Sequence, residues 1–448
     1  MNIIKENIDE LNAIVKINIA PADYETQVEK SLKDVSKKIS LPGFRPGKVP
    51  MGLVKKMHGK SILADELNKI LSDNLNKYII DNQIEILGNP LPKTQNDKVN
   101  LDFQKDFSFE FELGLTPHFS VDIGAHHSFD YPQIKVDDEM LETHNNRIRK
   151  YYGKPFNPDV SEVTDLIYGD ITELNSEENV AENGISIGTH IAIDKISDEE
   201  TKKNFIGKKA NETVVFILKN ISANETDLAA MLGIKKENLK FHTDKKFRFT
   251  INKIERIELA EINQELFDKV YGEGKINSLE EFRNKATEEI RASFASYSDN
   301  KLFKSIVDNF IQNLNINLPD DFLKRWMLNS NEKPVTMEQV NSEYPHFSHN
   351  LKWTLIKNKI IRENNISVTK GDIETFAKSM VREQYARYGY YNATDEQLAP
   401  GVKKMLENKE EHRRLYEQLY ENKIFVLFKN SFTLTPKEIP LKEFFEIN

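Results

Sequence analysis

Residues Leu41–Pro50 read LPGFRPGKVP, ten residues that carry three prolines and two glycines. Proline fixes φ near −65° and restricts the residue before it to extended backbone, whereas glycine accepts φ > 0. Pro-Gly is the favoured central pair of a type II turn, and Pro42-Gly43 and Pro46-Gly47 set two such pairs four residues apart. The pattern predicts a stiff, doubly turned tip that holds Phe44, Arg45 and Lys48 outward at little entropic cost on binding. A rigid aromatic beside an arginine is the chemistry of an interface anchor.

Helical patterns flank the tip. Upstream, Pro21 opens a helix with Asp23 near its start, and Tyr24, Val28, Leu32, Val35 and Ile39 form one apolar stripe. Downstream, Met51–Met57 reads as a short helix stopped by His58-Gly59. A longer one follows, with Leu63, Leu67, Ile70, Leu71, Leu75 and Tyr78 on its buried side. Alternation at Leu11, Ala13, Val15, Ile17 and Ile19, at Val99, Leu101 and Phe103, and at Phe107, Phe109, Phe111 and Leu113 predicts strands. Residues 1–115 therefore read as a small α+β domain, a sheet covered by helices with the loop projecting between two of them.

Charge sharpens the reading of the tip. The chain has a formal net charge of −9. Yet no acidic residue stands between Asp34 and Asp65, while Lys37, Lys38, Arg45, Lys48, Lys55, Lys56 and Lys60 all do. A basic patch on an acidic protein points to a local polyanion.

Beyond the first domain the chain changes character twice. Residues 116–155 read as a connector with a helix over Asp137–Tyr152, closed by Lys154-Pro155-Phe156-Asn157-Pro158. Residues 156–256 read as a compact α+β module, with strands over Asp165–Glu173, Ile185–Ile196, Glu212–Leu218 and Phe247–Ile257 and a helical piece at Asp227–Leu232. Residues 257–448 read as helix almost throughout. Ser278-Leu-Glu-Glu281 is a capping box whose helix runs towards Leu314. Later helices fall at Pro345–Asn364, Thr369–Tyr388, Asp395–Asn408 and Glu410–Ser431, with a break at Pro400-Gly401. Several are only weakly amphipathic, as helical arms with two exposed faces would be. The fold class is thus α+β multidomain with a mainly α-helical C-terminal part.

Gly43-Phe44-Arg45-Pro46-Gly47-Lys48-Val49-Pro50 resembles the signature of the trigger factor family, bacterial chaperones in which a Gly-Phe-Arg-x-Gly-Lys loop binds the ribosome. Every fixed position of that loop is filled, and the order of segments resembles the family along the whole chain. The resemblance implies that Phe44, Arg45 and Lys48 contact an exit-tunnel protein and nearby rRNA, that Gly43, Pro46 and Gly47 shape the loop, and that Lys37, Lys38, Lys55 and Lys56 add basic contacts. It implies a ribosome-binding tail domain, an FKBP-like middle domain and a helical chaperone domain with arms. The function implied is an ATP-independent chaperone at the ribosomal exit tunnel that holds unfolded or nascent polypeptides, with weak homodimerisation compatible with it.

The family's middle domain is a peptidyl-prolyl isomerase whose pocket needs apolar, aromatic walls with a Val-Ile-Pro-Gly-aromatic floor. Here Asp165–Thr172 resembles the first strand of that module. Phe205–Glu212 resembles its Gly-x-x-x-Gly-Glu turn, with Asn211 in place of the second glycine. The floor position holds Asp198-Glu-Glu-Thr-Lys-Lys-Asn204, and residues 159–256 contain only six aromatics: Tyr168, Phe205, Phe216, Phe241, Phe247 and Phe249. The expectation is a kept fold and a lost pocket, with no catalytic residue assigned. An active isomerase on nascent chains is the first alternative; a ribosome-independent, periplasmic-type holdase is the second. A nucleic-acid binder without a ribosome fits the net charge poorly.

No cysteine is present, which excludes disulfides and thiolate chemistry. Neither a signal-length apolar run at the start nor a run of roughly 18 apolar residues is found, so the reading is cytoplasmic, with no membrane partner. No phosphate-binding loop or other cofactor motif stands out, and no cofactor is assigned. His118, His126 and His127 lack a helical ligand spacing and a carboxylate pair close in sequence, so they are read as surface residues and no metal is assigned. Tyr385, Tyr388, Tyr390 and Tyr391 with Arg382 and Arg387 form an aromatic-basic knot, read as helix packing or as a contact for unfolded chain. In a proline-limited refolding assay the chain is expected to leave the slow phase at the rate of a non-catalytic holdase; clear acceleration above it would restore the isomerase reading.

Overall fold

The computed structural model describes residues 1–39, 44, 49–93, 102–331, 333–388 and 390–446. The chain begins with β1 (Asn2–Asn7), β2 (Asn12–Ile19), α1 (Pro21–Lys38), α2 (Met51–Asp81), β3 (Ile86–Pro92) and β4 (Phe107–Leu115), and its four strands form an antiparallel sheet in the order β1-β2-β4-β3. Period-two alternation turns Ala13, Val15, Ile17 and Ile19 to one face, where Tyr24, Val28 and Leu32 of α1 and Leu63, Leu67, Leu71 and Leu75 of α2 cover them. The buried Tyr24 hydroxyl is satisfied twice, donating to the Lys105 carbonyl at 3.1 Å and accepting from its N–H at 3.2 Å.

Three local expectations change. The two helices read after the loop are one helix, α2, which passes straight through His58-Gly59. Gly59 is buried, and the Phe103 ring lies 2.9 Å from where a Cβ would stand. The glycine thus serves close packing rather than a stop, at a helix-propensity cost of about 1 kcal/mol. Strand β3 was unread because Pro90 and Pro92 resemble turn residues; at a sheet edge proline is tolerated. Val99 and Leu101 fall outside the described residues, and Phe103 lies in a turn.

Next come β5 (Ser128–Ile134), α3 (Asp138–Tyr151), β6 (Lys154–Phe156), β7 (Leu166–Glu173), β8 (Ser186–Ala192), α4 (Glu199–Phe205), β9 (Thr213–Ile217), α5 (Glu225–Met231) and β10 (Lys246–Glu258). Strand β10 pairs antiparallel with β6, β7 and β9, and β7 pairs with β8, which makes a five-stranded sheet. Its core is Ile167, Ile171, Phe205, Phe216, Phe247, Phe249 and Ile251. The charged run from Asp198 is a short helix: Asp198 accepts from the Thr201 N–H at 2.7 Å, and Thr201 and Phe205 turn inward one helical turn apart. Gly207 (φ 76°) and Asn211 (φ 70°) both adopt the left-handed region, so asparagine fills the second glycine's place in that turn.

Two buried carboxylates brace this module. Arg256 grips Asp165 through Nε–Oδ1 at 2.6 Å and Nη2–Oδ2 at 2.8 Å. Glu173 accepts from Lys245, lies 3.0 Å from His242 Nδ1, and accepts from the Ile185 N–H at 3.3 Å. Burial opposes its ionisation, but the Lys245 ammonium, the Ile185 N–H and the nearby charges together hold the carboxyl below its ordinary value.

The remainder is α6 (Gln264–Tyr271), α7 (Leu279–Ser293), α8 (Ala295–Asn313), α9 (Asp320–Ser330), α10 (Met337–Glu363), α11 (Lys370–Arg387), α12 (Asp395–Glu407), α13 (Lys409–Ser431), β11 (Thr433–Ile439), which pairs with β5, and α14 (Leu441–Glu446). Ser278 caps α7 by accepting from the Glu281 N–H at 3.1 Å, while Glu281 reaches back to the Asn277 N–H at 2.7 Å. The helix does not continue to Leu314 but ends at Phe294. Pro345 lies inside α10 rather than at its start, and Pro400 lies inside α12 rather than at a break. Upstream of Pro345 a capping box between Thr336 and Gln339 and the buried Val340 and Tyr344 hold the first turns, which offsets the lost hydrogen bond.

By their contacts the residues form two units, one of 1–131 with 300–435 and one of 132–299 with 436–448. In the first, Leu87, Leu91 and Phe129 share a core with Leu302, Ile306, Phe310, Phe322, Ile356, Ile360, Ile424 and Phe428. Gly114 of β4 has the Phe322 ring 2.5 Å from its missing Cβ position. In the second, smaller clusters join Leu141 to Ala286 and Ile290, and Leu266 and Phe267 to Phe282.

Because its folded pKa is depressed, the Glu173 contribution is full above the ordinary value near 4.5 and is lost as pH falls through the lower folded value. Glu173→Gln should cost about 1–3 kcal/mol at neutral pH. Denaturant midpoints of mutant and wild type should converge as the pH drops below about 4.5.

Candidate functional site

The loop of interest leaves α1 and enters α2, and both junctions are tied to the domain core. Ile39 caps α1 by donating its N–H to the Val35 carbonyl at 3.0 Å, and its side chain packs on the core. At the other end Val49 is buried, and the Leu53 and Val54 N–H groups bond the Pro50 carbonyl at 3.0 and 3.2 Å. Ser31 Oγ donates to Glu66 Oε1 at 2.6 Å, which ties the two helices together. The loop is therefore presented by a helical hairpin fixed on a sheet.

Phe44 stands between these anchors in the chain with 41 % of its surface exposed. Gly43, Arg45, Pro46, Gly47 and Lys48 lie outside the described residues. The supporting lysines divide into two pairs. Lys37 is engaged with Asp34 at 3.0 Å, and Lys55 lies over the Phe103 ring at 4.0 Å. Lys38 and Lys56 are exposed and form no ion pair among the described residues. No acidic side chain occupies the first turn of α2, so the positive end of its dipole adds to the same field. Met51 at the start of α2 and Met57 two turns along it, both exposed, were not singled out from sequence.

The middle module holds a second concave feature, a cavity of about 380 Å³ between β8 and α5. Ile191, Ile196, Ile221, Leu228 and Met231 line it, with His190, Lys195 and Asp227 at its polar side. None of the six aromatics of this module lines it. Phe205, Phe216, Phe247 and Phe249 are buried in the core, Tyr168 faces His190 with Lys253 over its ring, and Phe241 is exposed. Sequence reasoning missed the cavity because its walls come from four separated short segments.

On the helical arm, Arg382 is paired with Asp395 at 3.0 Å and Tyr385 donates to the Gln397 carbonyl at 3.3 Å. Tyr388, Tyr390 and Tyr391 remain exposed. The knot thus both packs a helix end and leaves three rings to solvent.

Comparison with known proteins supports a ribosome-associated chaperone role. Three family models match in order along the chain: "Bacterial trigger factor protein (TF)" over residues 1–148, "Probable trigger factor, FKBP-like domain" over 156–259, and "Probable trigger factor, C-terminal domain" over 298–447. The trigger factor of Chlorobaculum parvum is 22% identical over 451 residues, covering 98% of each chain. That of Prosthecochloris aestuarii is 24% identical over 388 residues, covering 83% of this chain and 85% of its own. A solved trigger factor chaperone, studied for promiscuous substrate recognition in folding and assembly, superposes with a TM-score of 0.64 at 14% identity. It covers 96% of this chain and 99% of its own. The chain belongs to the trigger factor family, in which the N-terminal domain is the ribosome-binding part.

Substitutions at the buried junction and at the exposed Phe44 should separate. Val49→Ala should cost about 1–2 kcal/mol in chemical denaturation of the full chain, and Phe44→Ala should stay within about 0.5 kcal/mol.

Proposed function

We propose that the Leu41–Pro50 loop tethers the chain beside the ribosomal exit tunnel, where it holds nascent polypeptides without ATP. The observation that carries this reading is Phe44, exposed between two core-anchored junctions in a stretch with exposed Lys38 and Lys56. Phe44 would anchor on an exit-tunnel protein, and Arg45 and Lys48 would meet rRNA phosphate, with Gly43, Pro46 and Gly47 shaping the turn. Tethering places a weak, promiscuous cradle at high effective concentration near each emerging chain. The cradle would use scattered apolar and aromatic side chains such as Tyr388, Tyr390 and Tyr391, which keeps any single patch small.

The domain assignment proposed with this is a ribosome-binding tail over 1–115, a connector over 116–155, a degenerate FKBP-like module over 156–256 and a substrate-binding helical part over 257–448. The matched ranges 1–148, 156–259 and 298–447 support that order. Isomerase activity is taken as lost, supported by the aliphatic lining of the middle cavity and by the capped, charged helix at the floor position. A cytoplasmic location and weak self-association complete the proposal; no helix among the described residues is long and apolar enough to cross a membrane.

Co-sedimentation with ribosomes tests the tether, with the free chain run in parallel to report self-association. The combined Phe44→Ala, Arg45→Ala and Lys48→Ala change should abolish pelleting, and equal binding by both chains would sink the proposal. With about two phosphate contacts, affinity should fall roughly tenfold between about 50 and 200 mM salt. A flat response would assign the binding to Phe44 and protein alone.

A further inference from the structure

The loop that leads into β5 carries Asp122, His126 and His127, and the fold gathers them. Asp122 Oδ2 lies 3.0 Å from His126 Nε2, and one donor atom from each of the three residues lies within 4.8 Å of the other two. The carboxylate that the sequence reading found lacking is thus supplied four residues upstream of His126. His118 is not part of the group; it borders a separate cavity beside Trp326 and Phe347.

One member of the group is held rigidly. The His127 ring meets Phe310 and Phe432 edge-on, at centroid distances of 6.0 and 5.5 Å. Its backbone N–H bonds the Gly124 carbonyl at 3.1 Å, and its carbonyl accepts from the Thr433 N–H at 2.9 Å. Thr433 Oγ1 also bonds the Ala125 carbonyl at 2.7 Å, which fastens the loop to β11. His127 Nε2 is buried with no hydrogen-bond partner among the described residues, so no protein group competes for the tautomer. Gly124 leaves room for the second imidazole, since a Cβ there would come within 3.0 Å of His126 Nδ1. Asp122 and His126, 72 % and 61 % exposed, can change rotamer to close on a central ion while His127 stays fixed.

We propose that Asp122, His126 and His127 form a three-ligand site for a borderline first-row divalent cation, with Zn²⁺ as the test case and water completing the coordination. Two imidazoles and one carboxylate suit Zn²⁺, Co²⁺ or Ni²⁺ better than Mg²⁺ or Ca²⁺, which prefer all-oxygen shells. Zinc–ligand distances of about 2.0–2.2 Å require the donors to draw inward, a movement that the two exposed side chains supply. A bound ion would staple the loop at the start of β5 to the aromatic cluster around Phe310 and Phe432.

The test uses the full chain, stripped with chelator and titrated with ZnCl₂ in a calorimeter, with Co²⁺ absorption as a second readout. Wild type should take up Zn²⁺ with saturable, micromolar affinity and show the visible ligand-field bands of protein-bound Co²⁺. His126→Ala and Asp122→Asn should each weaken Zn²⁺ by about tenfold or more. Both should melt like wild type in chelator, and His118→Ala should bind normally. No uptake by wild type at about 100 μM Zn²⁺, or a loss below tenfold in either variant, would overturn the site.

Discussion

The contact between Gly114 and Phe322 constrains much of the first unit. Strand β4 is the only strand of its sheet that pairs with both β2 and β3, and it sends Phe107, Phe109 and Leu113 into the core beneath the helical hairpin. Phe322 sits on Gly114 where any side chain would collide with the ring. Around that contact Arg325 pairs with Glu112, and Arg362 lies 3.0 Å from Glu85. The N-terminal sheet is thus packed on one side by its own helices and contacted by C-terminal helices through β3 and β4. Residues distant in sequence build one body through that close approach together with the core that Leu87, Leu91 and Phe129 share with the C-terminal helices.

That arrangement accounts for how the tip works as a presented surface. Both junctions of the loop are fixed, since Ile39 and Val49 reach a core shared by two helices and a sheet. The long helix α2 passes through Gly59 and runs about 46 Å without a break. On the proposed tether, anchored junctions would lower the ordering cost of binding and leave the chemistry of Phe44 and its basic neighbours to set affinity and salt response.

Much of this was legible in the sequence, and the errors share a cause. Periodic stripes gave α1, β2, β4, β7 and β10 because each has one buried face, which is what periodicity reports. Gly59 and Pro400 were read as breaks and Pro345 as a helix start because local propensity favours a boundary there, while packing by Phe103 at Gly59 and capping by Thr336 and Gln339 upstream of Pro345 override it. The run Asp198–Asn204 was read only as a charged replacement of the pocket floor, yet with Thr201 and Phe205 inward it makes a short capped helix. The cavity by α5 and the Asp122–His126–His127 group depend on residues brought together by the fold. The cavity's walls are distant in sequence, whereas Asp122 stands only four residues before His126 and the histidine reading passed it over.

The discontinuity of the first unit has a temporal meaning. Residues 1–115 supply the sheet, the hairpin and the core beneath it, but Leu87, Leu91 and Gly114 receive their covering from residues roughly two hundred positions later. At a synthesis rate of roughly 5–20 residues per second, the partner side chains emerge about 10–40 s after the strand they cover. Throughout that interval the growing chain shows the ribosome's surroundings an apolar face of its own. During its birth this chaperone is, in effect, a client of the same kind it serves.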